Sequence, residues 1–279
     1  MSTPLQGGLY LGLFDDAAIF PPGDAPVPDA VRQHVRHRGS WYGPLVGPFV
    51  CDVARVGAAA DAAKALGPDQ LDISVVATDG VAGIGHAAEA VSRSAQLRLQ
   101  AIEVPLGPFD VQAARRFAGD LTDRGAPVFL EVPVAHVTDD LARDVRGAGL
   151  RLKLRTGGTT AGAFASEQQL AAAITCCVGA ALPFKCTAGL HNAVRHRDQQ
   201  TGFQHHGFLN VLLSVHAALG GADGRAVLAQ SDPMVLSAAI TALSSSERTA
   251  IRALFTSFGT CSVSDPIDDL LSMGLVSAP

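Results

Sequence analysis

The sequence is poor in lysine and glutamate, and this scarcity makes the position of each one informative. Among its 279 residues lysine occurs only at positions 64, 153 and 185, against eighteen arginines, and glutamate occurs five times against twenty-one aspartates. A basic excess is also missing, since the formal net charge is −5, and this argues against a nucleic-acid partner. The apolar content of 48% is that of a globular chain with a full core.

Long apolar runs and paired cysteines are lacking as well. No stretch approaches the length of apolar sequence that spans a bilayer, so we expect no membrane partner. The N-terminal segment has no basic region, and Asp15 and Asp16 interrupt its apolar stretch, so we expect no signal peptide. The five cysteines have no CxxC spacing, which favours a reduced cytoplasmic location over a disulfide framework or a structural zinc site.

Short β-branched segments alternate with Ala-rich segments of helical period along the middle of the chain. This repeat requires parallel strands joined by helical crossovers. Six such units with further chain at both ends predict an α/β fold, a single-domain (β/α)8 TIM-like barrel over residues 1–279. A doubly wound open sheet is the alternative, although no GxGxxG follows an early strand. The predicted strands span 44–51, 71–78, 99–106, 126–134, 150–156 and 183–189.

The two ends of the barrel are harder to assign. Residues 1–27 are predicted to be either an N-terminal cover or, through the apolar run 9–14, a first strand. In the same segment the pattern favours a plain turn for Asp15 and Asp16, with membership of the site as the alternative. Residues 203–256 have mainly helical patterns, and 255–263 is predicted to be the closing strand.

Charged residues interrupt four successive predicted strands, at Glu103, Glu131, Lys153 and Lys185. Both faces of a parallel barrel strand are buried, so a charge there requires a partner or a function. Alternation places Arg151, Lys153 and Arg155 on one inward face, and Lys185 with Thr187 on another. We expect these groups to converge beneath the C-terminal mouth, where barrel active sites lie. A structural ion-pair network is the alternative.

A lysine among buried groups and beside a second cation has a lowered pKa, and its neutral amine can attack a carbonyl. Lys185, with Lys153 on the preceding strand, fits this arrangement, and Glu131 and Glu103 would transfer protons. The segment Lys185-Cys186-Thr187-Ala188-Gly189 resembles the Schiff-base strand of class I aldolase barrels such as the deoxyribose-phosphate aldolases. The resemblance implies lyase activity through a Schiff base on Lys185, if 44–51 is the first strand and Lys185 lies on the sixth.

Four longer segments resemble a bacterial barrel family whose activity is not known, which supports the fold and the site but implies no reaction. They are residues 153–158, 184–196, 206–210 and 257–266.

The sequence Arg155-Thr156-Gly157-Gly158 leaves a predicted strand and indicates an anion site. Two glycines allow backbone N–H groups to face an anion, and Arg155 can add a bidentate contact. The expected partner is therefore a small carbonyl substrate carrying phosphate or carboxylate, with Thr187 beside it. A simple strand-to-loop turn is the alternative.

Four histidines cluster between residues 191 and 206, and two of them are candidate site residues. His191 and His206 are predicted to act in acid/base catalysis or in substrate hydrogen bonding. Asn210, one helical turn after His206, would share its face, although simple packing explains it equally well. Cys186 and Cys261 have no evident base partner, so thiol nucleophiles are not expected.

The sequence leaves three hypotheses about the function open. The main one is a Schiff-base lyase without a cofactor. The second is a metal-dependent lyase, isomerase or hydrolase in which His191 and His206 bind a divalent metal with Glu103 or Glu131. The third is a non-catalytic ligand-binding barrel. A homo-oligomer is compatible with each. Four further histidines, His34, His37, His86 and His136, are expected at the surface.

Overall fold

The computed structural model describes residues 8–67, 69–105, 107, 110–123, 125–199 and 201–279. The strands in these ranges are β1 (Phe14–Asp16), β2 (Val46–Asp52), β3 (Leu71–Val76), β4 (Leu97–Val104), β5 (Val128–Pro133), β6 (Arg151–Arg155), β7 (Phe184–Thr187), β8 (His196–Arg197), β9 (Gln204–His205) and β10 (Phe255–Thr260). The α-helices are α1 (Val27–Arg38), α2 (Val56–Leu66), α3 (Gly83–Ser92), α4 (Val111–Asp123), α5 (Asp139–Gly147), α6 (Glu167–Gly179), α7 (Phe208–Leu219), α8 (Arg225–Leu228), α9 (Pro233–Ala242), α10 (Ser245–Leu254) and α11 (Ser264–Ser272).

Eight of these strands run parallel and close into a barrel. The order around the barrel is β1, β2, β3, β4, β5, β6, β7 and β10, and β10 returns to β1. β8 and β9 form a separate antiparallel hairpin in the connection between β7 and α7. The predicted (β/α)8 TIM-like barrel is therefore confirmed, and the doubly wound sheet is wrong.

The six predicted central strands correspond to β2 through β7, and β10 is the predicted closing strand. The first strand differs from the prediction, because the apolar run 9–14 contributes only Phe14 to the barrel. The residues before it fold into turns, in which Leu11 N donates to Gly8 O and Leu13 N to Tyr10 O. The core therefore buries Leu9, Tyr10 and Leu13 in turns, whereas Leu11 is 47% exposed. Residues 1–7 lie outside the described ranges.

The helices cover the barrel with small and branched side chains. The predicted capping box is present at the start of α6, where Ser166 Oγ accepts from Gln169 N at 3.2 Å and Gln169 Oε1 accepts from Ser166 N at 2.9 Å. The inner face of α6 then buries Leu170 and Ile174 completely. Among the described residues, no helix has both the length and the apolar character needed to cross a membrane.

Candidate active site

A continuous series of ion pairs crosses the barrel interior. Its six members alternate in sign and are Asp15, Lys185, Glu103, Lys153, Glu131 and Arg155. Lys185 Nζ lies 2.5 Å from Asp15 Oδ2 and 2.6 Å from Glu103 Oε1. The other oxygen of the same glutamate, Oε2, lies 2.7 Å from Lys153 Nζ. One buried carboxylate, Glu103, therefore holds both interior lysines.

The outer half of this ion network leads to the end of β6. Lys153 Nζ lies 3.0 Å from Glu131 Oε2, and Arg155 Nε donates to Glu131 Oε1 at 2.7 Å. The side chain of Arg155 is 37% exposed, whereas that of Glu131 is 3% exposed. Arg155 is thus the member of the ion network with the largest surface open to solvent or to a ligand.

Each of the eight barrel strands contributes a residue that belongs to the network or contacts it. In strand order these are Asp15, Gly47, Ser74, Glu103, Glu131, Lys153, Lys185 and Ser257. Ser257 Oγ donates to Asp15 Oδ2 at 2.7 Å, and Ser74 Oγ donates to Glu103 Oε1 at 2.7 Å. A Cβ atom at Gly47 would lie 2.2 Å from Asp15 Oδ1, so a side chain there has no room. Polar side chains therefore surround the network, except at Gly47, where Asp15 occupies the space that a side chain would fill.

The strand alternation predicted from sequence is confirmed. Lys153 pairs in register with Glu131 on one side and with Lys185 on the other, so all three share the inner face. Leu152 and Leu154 occupy the opposite face and are completely buried in the hydrophobic layer beneath the helices.

The pKa of Lys185 in the ion network differs from the expectation based on the sequence. Burial lowers the pKa of Lys185, but Asp15 and Glu103 outweigh burial, and the pKa is raised well above its ordinary value. The expected lowered pKa of Lys185 is therefore wrong, because its nearest charges are carboxylates and not the second lysine. Burial likewise raises the pKa of Glu103, but the two lysines outweigh it and leave that pKa far below its ordinary value.

The pKa of Asp15 is shifted in the direction opposite to that of Glu103. Burial raises the pKa of Asp15, Lys185 opposes this shift, and the net direction is upward. The favoured assignment of Asp15 to a plain turn is wrong, since it lies in β1 and is 2% exposed beside Lys185.

The strand count also changes the aldolase analogy. Because β1 is Phe14–Asp16, Lys185 lies on the seventh barrel strand, and the sixth carries Lys153. The condition attached to the resemblance, that Lys185 should lie on the sixth strand, is not met. Lys153 occupies that place, and its side chain is 8% exposed, against 3% for Lys185.

The two glycines after Arg155 allow neighbouring loops to pack closely, because neither has a side chain. A Cβ atom at Gly157 would lie 2.8 Å from Phe164 Cε1 and 3.1 Å from Ala188 O, and one at Gly158 would lie 2.7 Å from Ala163 Cβ. Thr156 Oγ1 donates to Ala188 O at 2.6 Å and joins the same loops. These contacts explain both glycines by packing, and the anion contact through their N–H groups stays a prediction.

Thr187 follows the predicted inward direction. It pairs in register with Arg155, and a Cβ atom at Gly259 would lie 3.8 Å from Thr187 Oγ1. Thr187 therefore lies inside the barrel, one layer above Lys185 and towards the carboxyl ends of the strands. This position suits a contact with a substrate that enters from the mouth.

His191 lies at the carboxyl ends of the last two strands around the barrel. Its Nδ1 atom is 3.0 Å from Thr260 Oγ1 and 3.7 Å from Cys261 Sγ. Burial is the largest cause that lowers its pKa, and Asp265 opposes the shift. The expectation that Cys261 has no nearby base is thus wrong in its geometry.

His206 and Asn210 do not share one helix face as predicted, because His206 precedes α7 and only Asn210 lies in the helix. His206 is 2% exposed, and its Nε2 atom lies 2.7 Å from Ala165 O. Asn210 is fully buried, where its Oδ1 accepts from Arg195 N and its Nδ2 donates to Val227 O and Gln230 O. With its amide bonded to three backbone groups, Asn210 connects loops as the packing alternative expects, and its assignment to substrate binding stays a prediction.

The metal reading finds no donor set among the described residues. No group of three or more His, Cys, Asp or Glu side chains in those ranges is arranged to hold a metal ion. His191 bonds to Thr260 and His206 to Ala165, so each ring is directed to a different partner.

Two histidines expected at the surface are buried. His34 is 2% exposed, and its Nδ1 lies 3.0 Å from Asp16 Oδ2, while His37 is 8% exposed and bonds Tyr42. The expectation is wrong because α1 packs this face against the barrel. It is confirmed for His86 and His136, which are exposed.

Ser74 and Ser257 contact the network and were not singled out by the sequence interpretation, which named Asp15 only as an alternative member of the site. Ser74 interrupts the apolar run 71–78, and this isolated polar residue in a buried strand was the available signal. Ser257 had no comparable signal, because its role depends on Asp15, 242 positions away.

A groove of about 730 Å³ lies elsewhere, between α2 and α3. It is lined by surface side chains that include Lys64, Asp79 and His86, and no member of the ion network contributes to it. The chemistry-bearing residues are in the barrel interior, so we place the candidate site there.

Fold and site together define a (β/α)8 barrel with a charged interior layer below its C-terminal mouth, a class of fold that commonly serves as an enzyme scaffold. No protein-family model and no curated protein matches the chain.

Proposed function

We propose that this protein is an aldolase-type lyase that forms a Schiff base between an interior lysine and a small carbonyl substrate bearing phosphate or carboxylate. The observation that carries the proposal is the shared bond from Glu103 to two lysines on adjacent strands, with Oε1 on Lys185 and Oε2 on Lys153. Glu103 therefore holds the two amines side by side, and Glu131, whose Oε2 lies 3.0 Å from Lys153 Nζ, is the carboxylate that accepts a proton from the attacking amine.

The sequence favours Lys185 as the nucleophile, whereas accessibility and strand position favour Lys153. Lys185 is enclosed between Asp15 and Glu103, and these carboxylates stabilise its ammonium form. Lys153 lies on the sixth strand, two residues before Arg155, and its side chain is the more exposed of the two. In this arrangement Lys153 attacks the carbonyl and Lys185 supplies the neighbouring positive charge.

The proton transfers of Schiff-base formation use only groups of the ion network. The attacking Lys153 ammonium gives one proton to Glu131, and its nitrogen lone pair adds to the carbonyl carbon to form a carbinolamine. The same carboxyl returns the proton to the hydroxyl, water leaves, and a protonated imine remains. The net change converts one ammonium and one carbonyl into one iminium and one water molecule. The iminium then accepts the electron pair of the cleaved C–C bond.

Arg155 is the proposed anion contact. Its Nε atom is committed to Glu131, while the 37% exposed side chain leaves N–H groups for a phosphate or carboxylate. We expect Arg155→Lys to weaken substrate binding because an ammonium lacks the planar fork of a guanidinium.

Borohydride trapping tests the proposal. The protein is incubated with dihydroxyacetone phosphate, pyruvate or acetaldehyde, reduced, digested and mapped by mass. We expect an adduct on Lys153 that is absent in Lys153→Arg. Lys64, the remaining lysine, lies on α2 outside the network and serves as an internal control in every digest.

An adduct that maps to Lys185 and disappears in Lys185→Arg would keep the Schiff base but reverse the roles of the two lysines. Labelling that is equal at Lys64 would show non-specific reaction. No adduct on either interior lysine across the panel would refute the proposal.

A non-catalytic ligand-binding barrel is the second candidate, and the complete pairing of the six network charges favours it. Such a barrel would give no adduct, yet it would lose stability when a network lysine is removed. Trapping therefore separates the two candidates.

A further inference from the structure

We infer that Thr260 fixes the tautomer of His191 and thereby makes His191 Nε2 a proton acceptor at the barrel mouth. The catalytic part of this inference rests on the proposed lyase function, whereas the tautomer can be measured without it. Thr260 is a positioning residue here, since it acts through the imidazole.

Both residues are placed at the mouth by the barrel topology. β7 and β10 are neighbours, Thr260 is the last residue of β10, and His191 lies in the connection that follows β7. The carboxyl ends of parallel strands meet at one end of a barrel, and this is where active sites are built. The pair is therefore at the end of the barrel that a substrate enters.

The hydrogen bonds of the Thr260 hydroxyl determine which way its proton points. Thr260 Oγ1 donates to Ser262 O at 2.8 Å and accepts from Ser262 N at 3.2 Å. A hydroxyl has one proton and two lone pairs, so the contact with His191 Nδ1 at 3.0 Å must use the second lone pair. Thr260 is 1% exposed, so water does not compete for these positions.

The proton of the neutral imidazole therefore lies on Nδ1, and the lone pair lies on Nε2. Nε2 has no hydrogen-bond partner among the described residues, and it is not one of their fully enclosed unpartnered atoms. Burial lowers the pKa of His191 despite the opposing charge of Asp265, which favours the neutral ring. A neutral ring with an open Nε2 can take a proton.

The nearby thiol does not compete for this role. Cys261 Sγ is 3.7 Å from Nδ1, the nitrogen that carries the proton, so the ring can donate to the sulfur but cannot accept from it. Burial also raises the pKa of the Cys261 thiol. The pair is consequently not a cysteine nucleophile with its base.

In the proposed lyase, Nε2 would take a proton from the carbon next to the iminium. The C–H electron pair forms the C=C bond of an enamine, the C=N electrons move to the nitrogen, and the imidazole becomes imidazolium. Reversal of this step in D₂O exchanges the hydrogen of the carbonyl compound for deuterium, which can be measured by NMR.

Two measurements test the inference. Multiple-bond ¹H–¹⁵N spectra of ring-labelled protein, assigned with His191→Gln, report the tautomer. We expect unprotonated Nε2 in the wild type, in Thr260→Ser and in the control Cys261→Ser, and a mixture of tautomers in Thr260→Val. A wild-type spectrum dominated by the Nε2–H form would overturn the inference, even if Thr260→Val fails to fold.

The second measurement is exchange of the methyl hydrogens of pyruvate in D₂O, with borohydride trapping on the same samples. We expect His191→Gln to keep the adduct but to lose about 100-fold or more of the exchange rate, as for removal of a general base. An adduct with unchanged exchange would overturn the base role alone. If no adduct forms in any sample, the proposed function fails and the base role falls with it, while the spectrum still decides the tautomer.

Discussion

Lys185 Nζ lies 2.5 Å from Asp15 Oδ2, although 170 positions separate the two residues in the chain. The contact joins the first and seventh strands of the barrel across β10, whose Ser257 bonds the same carboxylate oxygen. Glu103 approaches Lys185 from the other side, so the ammonium of Lys185 separates two buried carboxylates.

Removal of this ammonium should destabilise the fold. We expect Lys185→Met to lower the free energy of unfolding by about 3–5 kcal/mol, because Asp15 and Glu103 would face each other without their cation. Urea unfolding measures the change, and Lys64→Met on α2 is the matched control, with an expected change within about 0.5 kcal/mol. Equal effects of the two substitutions would contradict the ion network as a stabilising element.

The two glutamates should differ in their importance. Glu103→Gln removes the carboxylate shared by two buried ammonium groups, so we expect a loss of about 3–5 kcal/mol. Glu131→Gln should cost less, because its partner Arg155 is 37% exposed and can be hydrated. Unfolding in urea ranks the two, and a larger loss for Glu131→Gln would show that the outer half of the network dominates.

Acid should weaken the fold through the buried His206. Burial lowers its pKa in the folded state, and Ala165 opposes the shift through its carbonyl. A group whose folded pKa lies below its unfolded value of about 6.5 contributes stability above that pH, and the contribution is lost as the pH falls. Unfolding free energies between pH 7.5 and 5 should therefore decrease, with a smaller slope in His206→Gln. The exposed His86 provides the control His86→Gln, and an unchanged slope in His206→Gln would refute the assignment.

The loop contact behind Gly157 can be tested with alanine. In Gly157→Ala the new methyl group would meet Phe164 and the backbone at Ala188, so we expect a loss of about 1–3 kcal/mol. At Gly162 a Cβ atom would meet nothing within 4 Å, which makes Gly162→Ala the control. Thermal unfolding compares the two, and comparable midpoints would indicate that the loops separate at little cost.

Local sequence patterns were sufficient to predict the barrel and the inward direction of some of its charged side chains. Buried β-branched runs and Ala-rich helical segments repeat along the chain, and such a repeat has few folded solutions besides a parallel barrel. Within those runs the alternation of side chains was enough to direct Lys153 and Lys185 inward, because this property depends only on a strand's own residues.

Local patterns could not predict the first strand or the direction of the pKa shift of Lys185. β1 has three residues, too few for a periodic pattern, and its place in the barrel follows from pairing with β2 and β10. Without β1 the partner Asp15 is missing, and the sequence interpretation then takes Lys153 as the charge beside Lys185. Because a pKa depends on distances to all nearby charges, the predicted direction for Lys185 was wrong.

The amino-acid sequence by itself therefore determined the barrel, the inward direction of its central charged residues and the scarcity that makes its lysines stand out. Only the tertiary structure decided that Asp15 and Glu103 enclose Lys185, that Lys153 lies on the sixth strand, and that Thr260 orients His191. The physical reason is range: strand periodicity is a local property, whereas ion pairing and tautomer choice depend on atoms brought within 3 Å by closure of the barrel.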